Sequence, residues 1–212
     1  MKKTLIILIM LPLVAFSQSK GKQASEILQE VTDKTKAYNS IKLEFTYQME
    51  NPEANIDEIT EGKALVSGDK YRLDIAGQIV MCNGTTIWTV IPDAEEVQVN
   101  DVSEGDEGFT PTKMLTTYND DFKSKLMPKT KTLDGRNVYT LDLSPKKKKA
   151  FDKVHLFIDK DKMELYCIAI FDQNGSVYTY KMTTFIPNSP VTEKDFTFDE
   201  ADFPGFDVID MR

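Results

Sequence analysis

The stretch Gln78-Ile-Val-Met-Cys-Asn-Gly-Thr-Thr-Ile-Trp-Thr-Val-Ile91 decides the fold that we expect for this chain. Asn83-Gly84 lies between two β-rich runs, and this dipeptide is the strongest short-range signal for a type I′ hairpin turn. A two-residue turn would place Cys82 opposite Thr85. The sequence therefore predicts a β-hairpin at the centre of an antiparallel sheet.

The hairpin has two faces, because successive side chains of a strand point to opposite sides of the sheet. One face is wholly apolar, and it carries Ile79, Met81, Trp88 and Val90. A four-residue loop from Pro92 to Glu95 would set Val97 against Val90 on the same face. An apolar sheet face must be covered by other elements or by a ligand. We expect this face to line a ligand cavity.

Outside the hairpin, the period of the apolar residues changes several times. Apolar residues recur every three or four positions from Gln23 to Tyr38, which predicts an amphipathic helix. From Ile41 to Glu50 the period is two, which is typical of a half-buried strand. Similar strand-like runs over residues 58–66 and 71–75 lead into the hairpin.

A second helix is predicted after an acidic loop at residues 103–108. Thr110 can cap this helix, and Pro111 suits its first position. Its apolar side would present Met114, Leu115, Tyr118 and Phe122. Strand-like runs then return over residues 127–133, 137–143, 154–158, 165–171 and 177–186.

The count of elements predicts the fold class. About eleven short strands joined by tight turns favour a mainly β fold, a strongly curved antiparallel sheet or unclosed β-barrel. We expect two or three helices to form a lid over an apolar cavity on its concave side.

The N-terminus reads as a signal peptide over residues 1–17, because Lys2 and Lys3 precede an apolar run that ends in small residues. We expect residues 18–212 to form a single exported domain. Removal of the two lysines lowers the 26 basic residues to 24 against 34 acidic ones, so the net charge falls from −8 to −10. Such a charge disfavours nucleic acid as a partner.

The sequence contains no pattern typical of an enzyme or of a cofactor site. His155 lies alone in a strand-like run, and the acidic residues near 101–107 and 199–202 lack the spacing of a calcium loop. We therefore predict no catalytic residue, metal or cofactor. A carboxylate pair that only folding brings together stays open.

Two further features of the sequence allow two interpretations each. Cys82 and Cys167 lie in apolar strands of an exported chain, where they are either free and buried or paired as a disulfide. Lys146-Lys-Lys-Lys149 is either a solubilising hairpin tip or a docking patch for an acidic partner.

In order and spacing, the motifs of this chain resemble the LolA family of periplasmic lipoprotein carriers. The resemblance rests on Ser40–Tyr47, Glu61–Leu65, Ile79–Trp88 with Pro92, Thr110–Leu115, and Asp195–Phe198 followed by Val208–Asp210. One motif departs from the family. LolA carriers place an arginine just after the second strand, where it ties the lid shut, whereas this chain has Ser67-Gly-Asp-Lys70.

The resemblance implies a function, a compartment and partners. A LolA carrier is a periplasmic protein that receives lipoprotein acyl chains from an inner-membrane ABC-type releasing complex and delivers them to an outer-membrane acceptor. We expect a monomer without enzymatic activity. The predicted lipid site comprises Phe45, Tyr47, Tyr71, Leu73, Ile79, Met81, Trp88, Val90, Val97, Met114, Leu115, Tyr118 and Phe122. The alternatives are a related domain that binds or senses lipid without a membrane relay, and a carboxylate-dependent hydrolase.

Overall fold

The computed structural model describes residues 20–102, 111–116, 122–127 and 132–212. The predicted signal peptide, the acidic loop at 103–108 and Tyr118 lie outside the described residues. The described ranges contain two α-helices, α1 (Lys20–Lys36) and α2 (Pro111–Thr116). The strands are β1 (Ile41–Asn51), β2 (Ile56–Ser67), β3 (Lys70–Ile75), β4 (Gln78–Cys82), β5 (Thr86–Ile91), β6 (Glu96–Asp101), β7 (Phe122–Leu126), β8 (Thr132–Leu133), β9 (Arg136–Pro145), β10 (Phe151–Asp159), β11 (Glu164–Asp172), β12 (Val177–Pro187) and β13 (Asp207–Asp210).

All thirteen strands belong to one strongly curved sheet. Twelve of them follow one another in the order β13-β6-β5-β4-β3-β2-β1-β12-β11-β10-β9-β7, and β8 pairs with β9. Neighbours are antiparallel except for β13, which lies parallel to β6. The two end strands of this order do not pair within the described residues, so the sheet there is unclosed, as predicted. In the same part of the chain, no helix has the length and apolar character that a membrane crossing requires.

Helix α1 lies on one face of the sheet, which we call the helix face. Ala24, Leu28 and Val31 are almost fully buried there, at the spacing of three and four residues that the sequence predicts. Helix α1 contacts β7 and β11, and α2 contacts β2, β3 and α1. The main hydrophobic core lies between these helices and the helix face.

The opposite face, which we call the outer face, has an apolar cover of its own. The chain from residue 193 to residue 206, which we call the strap segment, passes over β3 and β4. Its residues Phe198, Phe203 and Phe206 pack against Met81, Val90 and Val97. This second core occupies the face that the hairpin pattern predicts to line the ligand cavity.

The central hairpin forms with a different turn from the predicted one. Cys82 pairs with Ile87 rather than with Thr85, so the loop is two residues longer. The Asn83 side chain accepts hydrogen bonds from the backbone N–H groups of Thr85 and Thr86 at 3.0 and 2.9 Å. A shift of two residues preserves the face of every side chain, since the strand period is two. The predicted pairing of Val97 with Val90 is confirmed.

The segment after α2 also differs from its prediction. Phe122, predicted on the second helix, is the first residue of β7. Phe122, Ser124 and Leu126 point inward and alternate with the exposed Lys123 and Lys125, which is a period of two. With β7, β8 and β13 defined, the sheet has thirteen strands rather than about eleven.

Candidate functional site

An apolar cavity of about 160 Å³ lies on the helix face, between the sheet and α2. Strands β1, β2, β3 and β12 form its floor, and the first turn of α2 forms part of its wall. Its lining is Leu43, Phe45, Ala64, Leu73, Ile75, Pro111, Met114, Tyr180 and Met182. None of these nine side chains carries a charge, so the cavity suits a hydrocarbon group.

The strand register explains how the sequence builds this cavity. Leu43, Ala64 and Leu73 lie side by side in one row across β1, β2 and β3. In the next row Phe45 lies opposite Gly62 and Met182. The small side chain of Ala64 leaves room above the sheet, whereas the Phe45 ring occupies the space over Gly62. Helix α2 then places Met114, which is 9% exposed, over that space.

Tyr180 is the polar residue of the cavity wall. Its ring centroid lies 6.1 Å from that of Phe45 and 5.0 Å from that of Tyr47. Burial, with smaller effects of Tyr47 and Tyr178, raises the pKa of Tyr180 to about 12. The wall therefore stays uncharged at any physiological pH.

The structure brings only part of the predicted lipid site together. Phe45, Leu73 and Met114 line the cavity. Tyr47, Tyr71 and Phe122 belong to the same hydrophobic core without lining it. The side chain of Leu115 and the whole of Tyr118 lie outside what the structure describes.

The other five predicted residues do not face this cavity. Their assignment to a shared lining is wrong, because they lie on the outer face under the strap segment. They are Ile79, Met81, Trp88, Val90 and Val97. Both faces of β4 and β5 are apolar, since Val80, Cys82 and Ile87 pack into the core on the helix face. The hairpin alone therefore does not reveal which face the helices cover.

Strand β12 contributes two residues to the cavity that the sequence did not predict there. Tyr180 and Met182 reach it because β12 pairs with β1, a contact between opposite ends of the chain. Strand alternation was the available signal, since Tyr178, Tyr180 and Met182 fall on one face. Nothing local shows that this face meets Phe45.

Two other hollows are more polar. One, of about 540 Å³, lies on the outer face beside Lys42, Lys63, Arg72 and Asp74. The other, of about 180 Å³, lies near Tyr38 at the end of α1. The helix-face cavity differs from both because its lining includes no ionisable group except the tyrosine.

The cysteines and the histidine have structural surroundings. Both thiols are free and buried, with Cys82 in the main core and Cys167 beside Val138 and Tyr166. Burial raises the pKa of Cys167 to about 12, which leaves it an unreactive thiol. Burial lowers the pKa of His155. The Asp142 carboxylate, whose Oδ1 lies 3.7 Å from Nε2 of His155, acts in the opposite direction.

The acidic residues do not form a metal site in the described part of the chain. No group of three or more His, Cys, Asp or Glu side chains there has the arrangement of metal ligands. Of the acidic residues at 199–202, Asp199 caps a short helix by accepting from the N–H of Ala201 at 3.0 Å. The lysines at 146–149 form the connection between β9 and β10, and their docking role stays a prediction.

The unclosed sheet and its helix-covered apolar cavity define a LolA-like β protein. The sequence matches the family model described as outer membrane lipoprotein carrier protein LolA over residues 36–199. The match covers well over half of the chain, so this protein belongs to the LolA family. A search of curated protein sequences finds no match.

Solved structures share the fold at low sequence identity. An uncharacterized conserved protein from Thermus thermophilus is 13% identical with a TM-score of 0.60, covering 89% of this chain and 99% of its own. LprF from Mycobacterium bovis is 12% identical with a TM-score of 0.50, covering 82% and 97%. LolA superfamily protein NE2245 from Nitrosomonas europaea is 14% identical with a TM-score of 0.45, covering 84% and 98%. The first two likenesses establish the fold alone.

Proposed function

We propose that this protein binds lipoprotein acyl chains in the helix-face cavity and carries them through the periplasm from the inner to the outer membrane. The observation that carries the proposal is a charge-free hollow between the sheet and α2 in a LolA-family chain. Burial of an acyl chain is worth about 0.8 kcal/mol per CH₂, so even a few methylenes held there reduce the cost of crossing water.

The cavity must enlarge to hold a whole chain. Its volume of about 160 Å³ is below the range of roughly 300–1,000 Å³ that is usual for ligand sites. Pro111 and Met114 of α2 line the cavity, and the described part of α2 contacts β2, β3 and α1. Packing of Pro111 and Met114 therefore holds α2 in place, and we propose that α2 acts as the lid that an entering chain displaces.

The lid of this chain closes without the family arginine. The nearby Arg72 lies on the outer face, where its Nε is 3.3 Å from Asp74 and its Nη1 is 3.6 Å from the Met81 sulfur. It cannot reach α2 from that side of the sheet. We propose that apolar packing of Pro111 and Met114 above β2 and β3 holds the lid, which suits a carrier that must release its cargo.

The partners follow from the proposed cargo. An ABC-type releasing complex of the inner membrane would load the cavity, and an outer-membrane acceptor would empty it. The outer-face position of Arg72 favours a second candidate, a lipid-binding protein of the same family that serves no membrane relay. No carboxylate lines the cavity in the described residues, so nothing there favours a hydrolase.

Lipid analysis of the purified protein tests the proposal. Native mass spectrometry of protein isolated from the periplasm should detect bound acylated lipoprotein, and phospholipid alone would support the second candidate. Ala64→Leu should reduce the bound acyl ligand because it fills the floor of the cavity, where Ala64 is 4% exposed. Lys63→Leu is the matched control, since the neighbouring residue is exposed on the outer face.

Two outcomes would contradict the proposal. One is a wild-type protein that binds neither a triacylated lipopeptide nor a phospholipid when they are supplied in excess. The other is an Ala64→Leu variant that folds and retains as much acyl ligand as Lys63→Leu.

A further inference from the structure

Three tyrosines lie next to the cavity, in a row that leads outward along β1 and β12. Tyr180 belongs to the cavity wall and pairs across the strands with Tyr47. Tyr178 pairs with Met49, one step nearer the turn between β1 and β2. The Tyr47 ring lies 5.0 Å from that of Tyr180, and it stacks on that of Tyr178 at 6.4 Å and 7°.

The hydroxyl groups of these tyrosines have no hydrogen-bond partner among the described residues. All three side chains are half-buried against the main core. Burial raises the pKa of Tyr47 as well as that of Tyr180, so both hydroxyls stay protonated and can donate. These hydroxyls are therefore available donors beside an apolar cavity, which suits a ligand that accepts a hydrogen bond.

The charges around the row select the kind of acceptor. Glu58 lies opposite Met49 on the same face, and its carboxylate contributes to the raised pKa of Tyr47. Following the register through β2, β1, β12 and β11, the rows of Tyr47 and Met49 contain no lysine or arginine. A carboxylate head group would meet a negative charge there and no positive one. A neutral ester or amide carbonyl would meet only donors.

We propose that the row Tyr47, Tyr178 and Tyr180 binds the neutral ester or amide carbonyl that joins an acyl chain to its head group. The inference rests on the proposed function, because it places the hydrocarbon part in the helix-face cavity. It adds that the protein selects acyl esters and amides over free fatty acids. That carbonyl occurs in lipoproteins and in glycerophospholipids.

Binding of two ten-carbon probes tests this selectivity. Monodecanoylglycerol and decanoate have the same chain, and at about pH 8 decanoate is fully ionised. Calorimetry or dye displacement should show the wild-type protein binding the ester roughly tenfold more tightly. The triple variant Tyr47→Phe, Tyr178→Phe, Tyr180→Phe should bind the ester roughly tenfold more weakly than wild type, as expected for the loss of one or two hydrogen bonds.

Tyr139→Phe is the matched control, because Tyr139 packs on the same core without lining the cavity. It should bind both probes as the wild type does. The single variants Tyr47→Phe and Tyr180→Phe repeat the test if the triple variant does not fold. A triacylated lipopeptide and a phosphatidylglycerol, measured on the same variants, identify the source of the carbonyl by which of them loses more affinity.

The possible failures are distinguishable. If the ester binds but the tyrosine variants keep full affinity, or decanoate binds as tightly, the tyrosine inference is overturned and the proposed cavity stands. If neither probe binds the wild-type protein and neither lipid does, the proposed function fails and the inference fails with it.

Discussion

The ring of Phe45 lies directly over Gly62 on the neighbouring strand. A Cβ atom at Gly62 would be 2.5 Å from Cζ and 2.7 Å from Cε2 of that ring. Because Phe45 is 7% exposed and forms the floor of the helix-face cavity, the missing side chain of Gly62 determines how deep the cavity is.

Gly62→Ala should therefore fill the cavity indirectly. The new methyl group pushes the Phe45 ring toward α2, which overpacks the core and should lower the free energy of unfolding by about 1–2 kcal/mol. Affinity for an acyl ligand should fall with it. Urea unfolding and ligand titration measure the two effects. In a protein that also carries Phe45→Ala, Gly62→Ala should change the free energy of unfolding little. An equal loss of stability with and without the Phe45 ring would show that the ring does not mediate the effect.

Trp88 should be insensitive to the ligand. It is the only tryptophan of the chain, so its emission reports the outer-face core alone. Saturation with an acyl ligand should leave the spectrum unchanged, since the sheet separates Trp88 from the cavity. A ligand-induced shift of the Trp88 emission would indicate that the ligand binds on the outer face, as the hairpin pattern predicts.

The strap segment should control the environment of Trp88. Phe203 lies 5.5 Å from both Phe198 and Phe206, centroid to centroid, within the cluster that covers Trp88. Phe203→Ala should shift the emission to the red and destabilise the protein by about 2 kcal/mol, less than the loss of a fully buried ring. Phe157→Ala, in the separate cluster with Val138, should leave the emission unchanged.

Asp159 should make the folded protein less stable at acid pH than at neutral pH. Burial by itself would raise the pKa of Asp159, but donors from Lys162 N–H, Arg136 and Asp161 N–H at 3.0–3.1 Å hold it below its usual value. A lowered pKa in the folded state stabilises the fold above the ordinary value of 3.8. That contribution disappears as the pH falls through the lowered pKa.

Asp159→Asn should thus cost about 2 kcal/mol near neutral pH, and the difference from wild type should shrink below about pH 4. Urea unfolding across this range measures it. Asp161→Asn, an exposed change in the same turn, should follow the wild-type curve. If the difference in unfolding free energy between Asp159→Asn and wild type stays constant down to acid pH, the carboxylate charge is not involved.

Periodicity predicted most of the elements because each depends on local alternation. The helix around Leu28 and the run of antiparallel strands follow directly from spacing. The Asn83-Gly84 signal located the turn but not its length, since the Asn83 side chain stabilises a longer loop. The faces of the hairpin were separated correctly.

Assignment of the site to one face needed information that local patterns lack. Met81 and Trp88 lie on an apolar face, yet the strap segment more than a hundred residues later covers it. Tyr180 reaches the cavity only through the pairing of β12 with β1. Both facts depend on contacts between distant parts of the chain, which no single stretch of sequence encodes.

Photo-crosslinking tests the central claim most directly, that an acyl chain enters the helix-face cavity. A triacylated lipopeptide with a diazirine in one acyl chain would be irradiated on the protein, and tandem mass spectrometry would locate the adducts. We expect adducts on Phe45, Leu73 and Met114. Adducts confined to Met81, Trp88 and the strap segment, or none at saturating ligand, would contradict the account.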